Sequence, residues 1–282
     1  MDLNQFINGE NLKQICDIVI DQNTVGLKRN YKNKNIIFCK TDFIETVFNE
    51  VKNNKDTYTL ITHQSDYEIN ERIFNYKPKN IINWYAQNVN YKHENLIPIP
   101  IGLENHFGPS KGSSIDIKVL ENYKIQDSYI KNNLLYTNFN VNNHPDRYNW
   151  QNQINSLNLN IINKKKSFSD YTDDLKNSYF CASPRGNGID CHRHYEALMA
   201  GCIPIIEDNP LIREKYKGCP ILFTKDYSEI NEQYLQQKYN EMIDMTYDFS
   251  RLFLSSYCLE DQMGIKHNGN YWVKKFCYKL WY

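Results

Sequence analysis

The segment 179–209, YFCASPRGNGIDCHRHYEALMAGCIPIIEDN, constrains the fold of this chain more than any other. It begins with an apolar run at 179–182, bounded by Ser-Pro, which predicts a buried strand. A second apolar run at 202–206 predicts the next strand. Between them, residues 191–200 have helical periodicity, and Gly201 is suited to end that helix. The segment therefore predicts a β-loop-α-β unit of an α/β sheet.

The loop before the predicted helix has the composition of an anion-binding loop. Gly186 and Gly188 are free to take positive φ, and Asp190 is a good N-cap for the helix. A helix N-terminus presents unpaired N–H groups and a partial positive charge, so it favours phosphate, and the planar fork of Arg185 suits a diphosphate. His192, Arg193 and Glu196 share the helix face that points away from the sheet.

A plainer interpretation of the same residues stays open. A capped amphipathic helix carries polar residues on its solvated face whether or not a ligand binds there. On such a helix Arg193 and Glu196 would form an exposed i, i+3 ion pair.

The segment also resembles a known family. Ser183-Pro184-Arg185-Gly186, then Arg193, then Glu196-Ala197-Leu198 and Gly201-Cys202-Ile203-Pro204 are similar to exostosin-type glycosyltransferases, glycosyltransferase family 47. The resemblance implies a GT-B fold in which this segment holds a nucleotide sugar, with Glu196 on the ribose hydroxyls. It extends to Asn138-Phe139-Asn140 and Arg147, which resemble the first strand–loop–helix of the family's donor domain. Asparagine side chains capping their own turn and a surface arginine are the alternative for that loop.

The predicted donor site combines the helix N-terminus with these neighbours. Its residues are Asn138, Asn140, Arg147, Ser183, Arg185, Gly186, Gly188, Asp190, Cys191, His192, Arg193 and Glu196.

An inverting sugar transfer needs a base that takes a proton from the acceptor hydroxyl. Polar loops follow the predicted strands of the N-terminal half, and such loops lie on the ligand-facing edge of an α/β sheet. The candidates for the base, in order of preference, are Asp66, His63 and Glu104. The acceptor is expected against two of these loops, at Trp84, Gln87, Asn88, Glu104, Asn105 and His106.

Strands alternate with helices on both sides of a Gly/Ser/Pro-containing linker region at 107–131. We therefore predict an α/β protein of GT-B type, with two Rossmann-like doubly wound domains facing a cleft. The expected units are 1–125 on the acceptor side, 126–265 on the donor side, and a final helix at 266–282 that packs back on the first domain.

Composition excludes several other classes. The chain has 33 basic and 33 acidic residues, so nothing favours a nucleic acid partner. Its eight cysteines form no CxxC pair, and no HExxH or strand-end DxD motif occurs, so we expect no metal and no cofactor besides the nucleotide sugar as co-substrate. The N-terminus lacks the features of a signal peptide and no membrane-spanning apolar run occurs, so the chain is expected to be soluble and cytoplasmic.

The predicted function is inverting, metal-independent transfer of a sugar to a glycan hydroxyl. The resemblance implies a UDP-sugar donor such as UDP-xylose, UDP-glucuronate, UDP-galactose or UDP-GlcNAc. Two alternatives remain open: a GDP-fucose-dependent, fucosyltransferase-like GT-B enzyme, and a non-catalytic glycan-binding or scaffold protein on a decayed transferase fold.

Overall fold

Two parallel β-sheets follow one another along the chain. The computed structural model describes residues 6–104, 131–157, 166–258, 263–268 and 271–276. The first sheet has five strands and the second has four; helices connect the strands of the second sheet, whereas in the first sheet they connect the second strand to the third and the third to the fourth. A third sheet, with three antiparallel strands, lies at the C-terminal end of the chain.

The first sheet is built from residues 18–98 in the order β1-β2-β3-β4-β5. Its strands are β1 Ile18–Ile20, β2 Ile36–Lys40, β3 Tyr58–His63, β4 Ile81–Ala86 and β5 Leu96–Pro98, and the helices around it are Gly9–Gln14, Ile44–Val51 and Glu71–Tyr76. The central strand β3 is buried at all but one position, because both of its faces are covered.

The second sheet has the order β6-β7-β8-β9. Its strands are β6 Asn133–Thr137, β7 Ser178–Ala182, β8 Ile203–Glu207 and β9 Leu222–Thr224, and its helices are Arg147–Asn155, Phe168–Lys176, His192–Met199, Pro210–Lys215 and Glu232–Ile243. Strands β7 and β8 and the helix between them are the β-loop-α-β unit predicted from the sequence, and β7 pairs with β8 in parallel.

The parallel α/β class is confirmed. The doubly wound strand order that we expected is wrong for the strands that the structure describes. A doubly wound sheet reverses its strand order at a switch point. Here the described strands of each parallel sheet follow chain order, without such a reversal. One apolar cluster runs through both halves, with Phe38 and Ile61 from the first sheet and Phe180 and Leu198 from the second unit.

The C-terminal segment differs from the sequence prediction. Where a helix was expected at 266–282, the described residues form the strands β11 Met263–Asn268 and β12 Tyr271–Phe276, and β11 also pairs with β10, Thr246–Asp248; the remainder of the predicted helix, 277–282, lies outside the described residues. Aromatic and β-branched residues in 271–276 favour a strand, and Gly269-Asn270, between the two strands, is a two-residue hairpin signal in the sequence. None of the helices in the described ranges is long and apolar enough to cross a membrane.

Candidate active site

A pocket of about 470 Å³ opens at the start of the helix His192–Met199. It gathers many of the residues predicted for the donor site and adds several from the loop and helix at 166–171. Its lining residues are Glu104, Asn138, Phe139, Asn140, Asn143, Arg147, Lys166, Ser167, Phe168, Tyr171, Gly186, Cys191, His192, Arg193 and Glu196. We call this the donor pocket.

The helix beside the donor pocket is held firmly at its C-terminal end. Gly201 has φ of 72°, the Cys202 N–H donates to Ala197 O at 2.9 Å and the Gly201 N–H donates to Leu198 O at 3.2 Å. These two bonds form a Schellman motif, which needs a residue in the left-handed region and therefore favours glycine. The predicted helix end at Gly201 is confirmed.

Arg193 and Glu196 lie on the pocket side of this helix, while Tyr195 and Leu198 pack in the core. The Arg193 Nε is buried and has no hydrogen-bond partner among the residues that the structure describes. Glu196 is 5% exposed and its carboxylate accepts a hydrogen bond from the Tyr171 hydroxyl at 2.7 Å. Burial raises the pKa of Glu196 above its ordinary value. The arrangement is not the exposed ion pair of the plainer interpretation.

Cys191 lies beside two cationic side chains at the start of the helix. Burial alone would raise the pKa of its thiol, but His194 and Arg193 outweigh burial and lower that pKa to about 6.

Asp190 does not cap the helix as predicted. Cys191 is the N-cap residue, and Asp190 is a buried carboxylate, 3% exposed, with donors from both halves of the chain. Its Oδ2 accepts from Lys215 Nζ at 2.8 Å and from the Ile101 N–H at 2.9 Å. The pKa of Asp190 lies well below its ordinary value, because Lys215 and His194 outweigh the opposing effect of burial.

His194 is part of the same buried network and is held as an imidazolium. Its Nδ1 lies 2.9 Å from Asp190 Oδ1 and its Nε2 lies 2.9 Å from Ser183 O. Both partners are acceptors, so both ring nitrogens donate. Burial opposes the charge, but Cys191 and Asp190 raise the pKa of His194 to about 10. The Tyr216 hydroxyl donates to Asp190 Oδ1 at 2.9 Å and completes the network. Sequence reasoning did not place His194, Lys215 or Tyr216 in the site, because no local pattern marks a residue whose partner lies far away in the chain.

Arg147 and Arg185, both predicted for the donor site, have partners within the protein. The Arg147 guanidinium is 3% exposed and donates to three carbonyl oxygens, those of Arg185, Asn140 and Pro184, at 2.7, 2.8 and 2.9 Å. It borders the donor pocket and fixes its loops, rather than lying on the surface. The Arg185 side chain is directed to Asn187 O and to Glu68, whose Oε1 is 3.8 Å away, and it does not line the pocket.

The other loop residues have mostly structural roles. Neither Gly186 nor Gly188 is among the described positions with positive φ. A Cβ on Gly188 would lie 2.7 Å from the Asn88 side chain, so this glycine permits a close approach between the two halves. Ser183 is fully buried and contributes its carbonyl oxygen to His194. Of the neighbouring loop at 138–140, Asn138 and Asn140 line the pocket as expected.

The three base candidates are separated by the fold. His63 is fully buried, its Nε2 lies 3.3 Å from Pro100 O, and burial lowers its pKa to about 3, so it is not placed to receive a proton from a substrate. Asp66 is exposed and accepts from Asn187 Nδ2 at 3.2 Å. Glu104 lines the donor pocket.

The residues expected to bind the acceptor do not lie together in one pocket. Trp84 is a core residue rather than a sugar-stacking one, because it is fully buried and its Nε1 donates to Thr62 Oγ1 at 2.9 Å. Asn88 is buried and donates to Ser65 O at 2.9 Å. Gln87 lines a second pocket. Asn105 and His106 lie outside the described residues.

A second pocket, of about 490 Å³, lies at the carboxyl ends of β2, β3 and β4. It is lined by Glu10, Lys13, Gln22, Lys40, Gln64, Ser65, Asp66, Gln87, Ile101 and His192. We call it the strand-end pocket. His192 borders both pockets, so the two are neighbours.

No group of three or more His, Cys, Asp or Glu side chains in the described ranges is arranged to hold a metal ion. Metal independence nevertheless stays a prediction.

Comparison with known proteins identifies the class of the C-terminal half. Residues 144–251 match the family model described as the RXYLT1 C-terminal domain, which covers most of the donor pocket. A stretch of 47 residues is 45% identical to Exostosin-1 of Drosophila melanogaster; it represents 17% of this chain and 6% of that protein. Together the two matches show that the chain is similar to exostosin-like glycosyltransferases, and they support a glycosyltransferase as its general class.

Proposed function

We propose that this chain transfers a sugar from a UDP-sugar to a glycan hydroxyl, with inversion and without a metal ion. The donor pocket holds the nucleotide sugar, and the two parallel sheets act as the halves of a GT-B enzyme. The observation that carries the proposal is the position of the Arg193 guanidinium, whose buried Nε lacks a partner in the described structure, at the wall of this pocket; the Nε of Arg185 is also buried and unpartnered, but that side chain does not line the pocket.

The chemistry follows from what surrounds Arg193. When the glycosidic bond to the diphosphate breaks, negative charge grows on the leaving phosphate. A planar guanidinium pairs with phosphate oxygens in bidentate fashion, and the start of the helix His192–Met199 adds its N–H groups and partial positive charge. Preorganised positive charge of this kind stabilises the departing diphosphate.

Glu196 lies about one turn into the helix His192–Met199, and Tyr171 approaches it from the helix Phe168–Lys176. Their 2.7 Å hydrogen bond fixes the carboxylate at the pocket wall. A carboxylate held there accepts hydrogen bonds from a ribose diol, so Glu196 orients the nucleoside while Arg193 binds the diphosphate.

A thermal-shift panel of UDP, GDP, CMP and ADP, with and without EDTA, tests this proposal. Ligand that binds only the folded state raises the melting temperature by mass action. We expect a rise selective for UDP and insensitive to EDTA. A GDP-selective rise would favour a fucosyltransferase-like enzyme, and no rise with any nucleotide would favour the non-catalytic alternative.

A pair of arginine variants locates the site. Arg193→Ala is expected to weaken UDP binding by about ten- to a hundredfold, since a hydrogen bond to a charged group contributes about 1.5–3 kcal/mol. Arg185→Ala is the matched control, because that side chain faces Glu68 outside the donor pocket. Equal losses in the two variants would refute the placement of the diphosphate at Arg193.

A further inference from the structure

The side chain of His192 lies at the junction between the two pockets. Among the described titratable side chains that line the strand-end pocket, it is the one that also lines the donor pocket. An acceptor hydroxyl that attacks a donor sugar has to meet the anomeric carbon at such a junction. Position therefore distinguishes His192 from Asp66, which lines the strand-end pocket alone, and from Glu104, which lines the donor pocket alone.

The hydrogen bond of the imidazole fixes its tautomer. His192 Nδ1 lies 2.7 Å from Gly102 O. A backbone carbonyl only accepts, so Nδ1 carries the hydrogen, and in the neutral ring Nε2 keeps its lone pair. No group within the described parts of the chain is hydrogen-bonded to Nε2. The imidazole thus has one nitrogen anchored and one ready to accept a proton.

The anchor itself is rigid. Gly102 has φ of 73°, and a Cβ on it would lie 1.9 Å from Ile7 O, so the loop after β5 depends on glycine there. The neighbouring Leu103 N–H donates to Ile7 O at 2.9 Å, and the Ile101 N–H donates to the buried Asp190 carboxylate at 2.9 Å. The carbonyl that orients the imidazole is therefore fixed from both sides.

We propose that His192 is the general base of the transfer and that the acceptor glycan occupies the strand-end pocket; this rests on the proposed function. The acceptor oxygen forms a bond to the anomeric carbon as its proton passes to Nε2 of His192. The bond from the anomeric carbon to the diphosphate oxygen breaks, and its electron pair leaves with the diphosphate toward Arg193. The mainly polar lining of the strand-end pocket, with Gln64, Ser65 and Gln87 among its residues, suits the hydroxyls of a sugar.

Two substitutions at His192 distinguish loss of the basic nitrogen from loss of the hydrogen bond to Gly102. In His192→Gln the side-chain amide is still able to donate to Gly102 O but has no basic nitrogen. His192→Ala removes both the hydrogen-bond donor and the basic nitrogen, and it leaves space for added imidazole. His93→Ala serves as the control, since that ring packs against Phe74 and lines neither pocket.

The readouts are UDP affinity by calorimetry and UDP release from a UDP-sugar in the presence of aryl glycosides as acceptors. We expect both His192 variants to lose about 10²–10⁴-fold in turnover, the usual contribution of a general base. UDP affinity should stay within about threefold of wild type, since the base acts on the acceptor rather than on the diphosphate. Imidazole should restore part of the turnover of His192→Ala and none of that of His192→Gln.

Turnover within about fivefold of wild type in His192→Gln would overturn the assignment, because loss of a base costs far more. A parallel loss of UDP affinity and turnover would overturn it as well, since His192 would then be a donor-binding residue. A wild-type protein that neither binds UDP nor consumes any UDP-sugar would overturn the proposed function and this inference together, a result seen before any variant is made.

Discussion

Substitution of Lys215 by methionine should destabilise the protein strongly. Its Nζ donates to Asp190 Oδ2 at 2.8 Å and to Gln87 O at 2.5 Å, and the side chains of Lys215 and Asp190 are fully buried. Breaking a buried ion pair by removing one partner costs about 3–5 kcal/mol, because the other charge is left uncompensated. Asp190 would keep four donors, Ile101 N, Cys191 N, His194 Nδ1 and the Tyr216 hydroxyl, so we expect the lower end, about 3 kcal/mol.

Equilibrium unfolding in guanidinium chloride, followed by circular dichroism and tryptophan fluorescence, measures this loss. Lys238→Met is the matched control, since Lys238 Nζ is 2.7 Å from Glu241 but the pair is largely solvated. Exposed pairs contribute little, so that variant should unfold like wild type. A free energy of unfolding for Lys215→Met within about 1 kcal/mol of wild type would refute the view that this network holds the two halves together.

Two further predictions use the same network and the loop beside it. The pKa of His194 is raised from 6.5 to about 10, so its stabilising charge is fully present below pH 6.5 and is lost as the pH rises through 10. Melting temperatures between pH 7 and 10 should therefore fall more steeply for wild type than for His194→Gln, and parallel curves would contradict the assigned imidazolium. Gly102→Ala should cost more than about 1 kcal/mol in chemical unfolding, because alanine disfavours positive φ and its Cβ meets Ile7 O. Gly26→Ala is the control, since nothing lies within 4 Å of a Cβ there, and equal effects of the two would refute the stated cause.

The parts of the fold that depend on local sequence could be predicted. The apolar runs that form β7 and β8 and the glycine that ends the helix between them are neighbours in sequence, so their signals are local. The helical period of 3.6 residues was enough to place Arg193 and Glu196 on one face, and both line the donor pocket.

The parts that depend on distant contacts could not be predicted. Asp190 has the local pattern of an N-cap, but it is bonded to Lys215, 25 residues away, and to Ile101, 89 residues away. Trp84 is buried because Phe48 and Phe74 pack around it. The local sequence around Trp84 gives no sign of these two distant neighbours. Arg185 and Arg147 look alike in sequence, and only the fold shows that one faces Glu68 while the other binds three carbonyls.

A crystal structure of the protein with UDP bound tests the central claim most directly. We predict that the diphosphate lies within hydrogen-bond distance of the Arg193 guanidinium and that the ribose contacts Glu196. We also predict that Nε2 of His192 points toward the β-phosphate side of the pocket. A diphosphate bound at Arg185, or a nucleotide outside the donor pocket, would contradict the account.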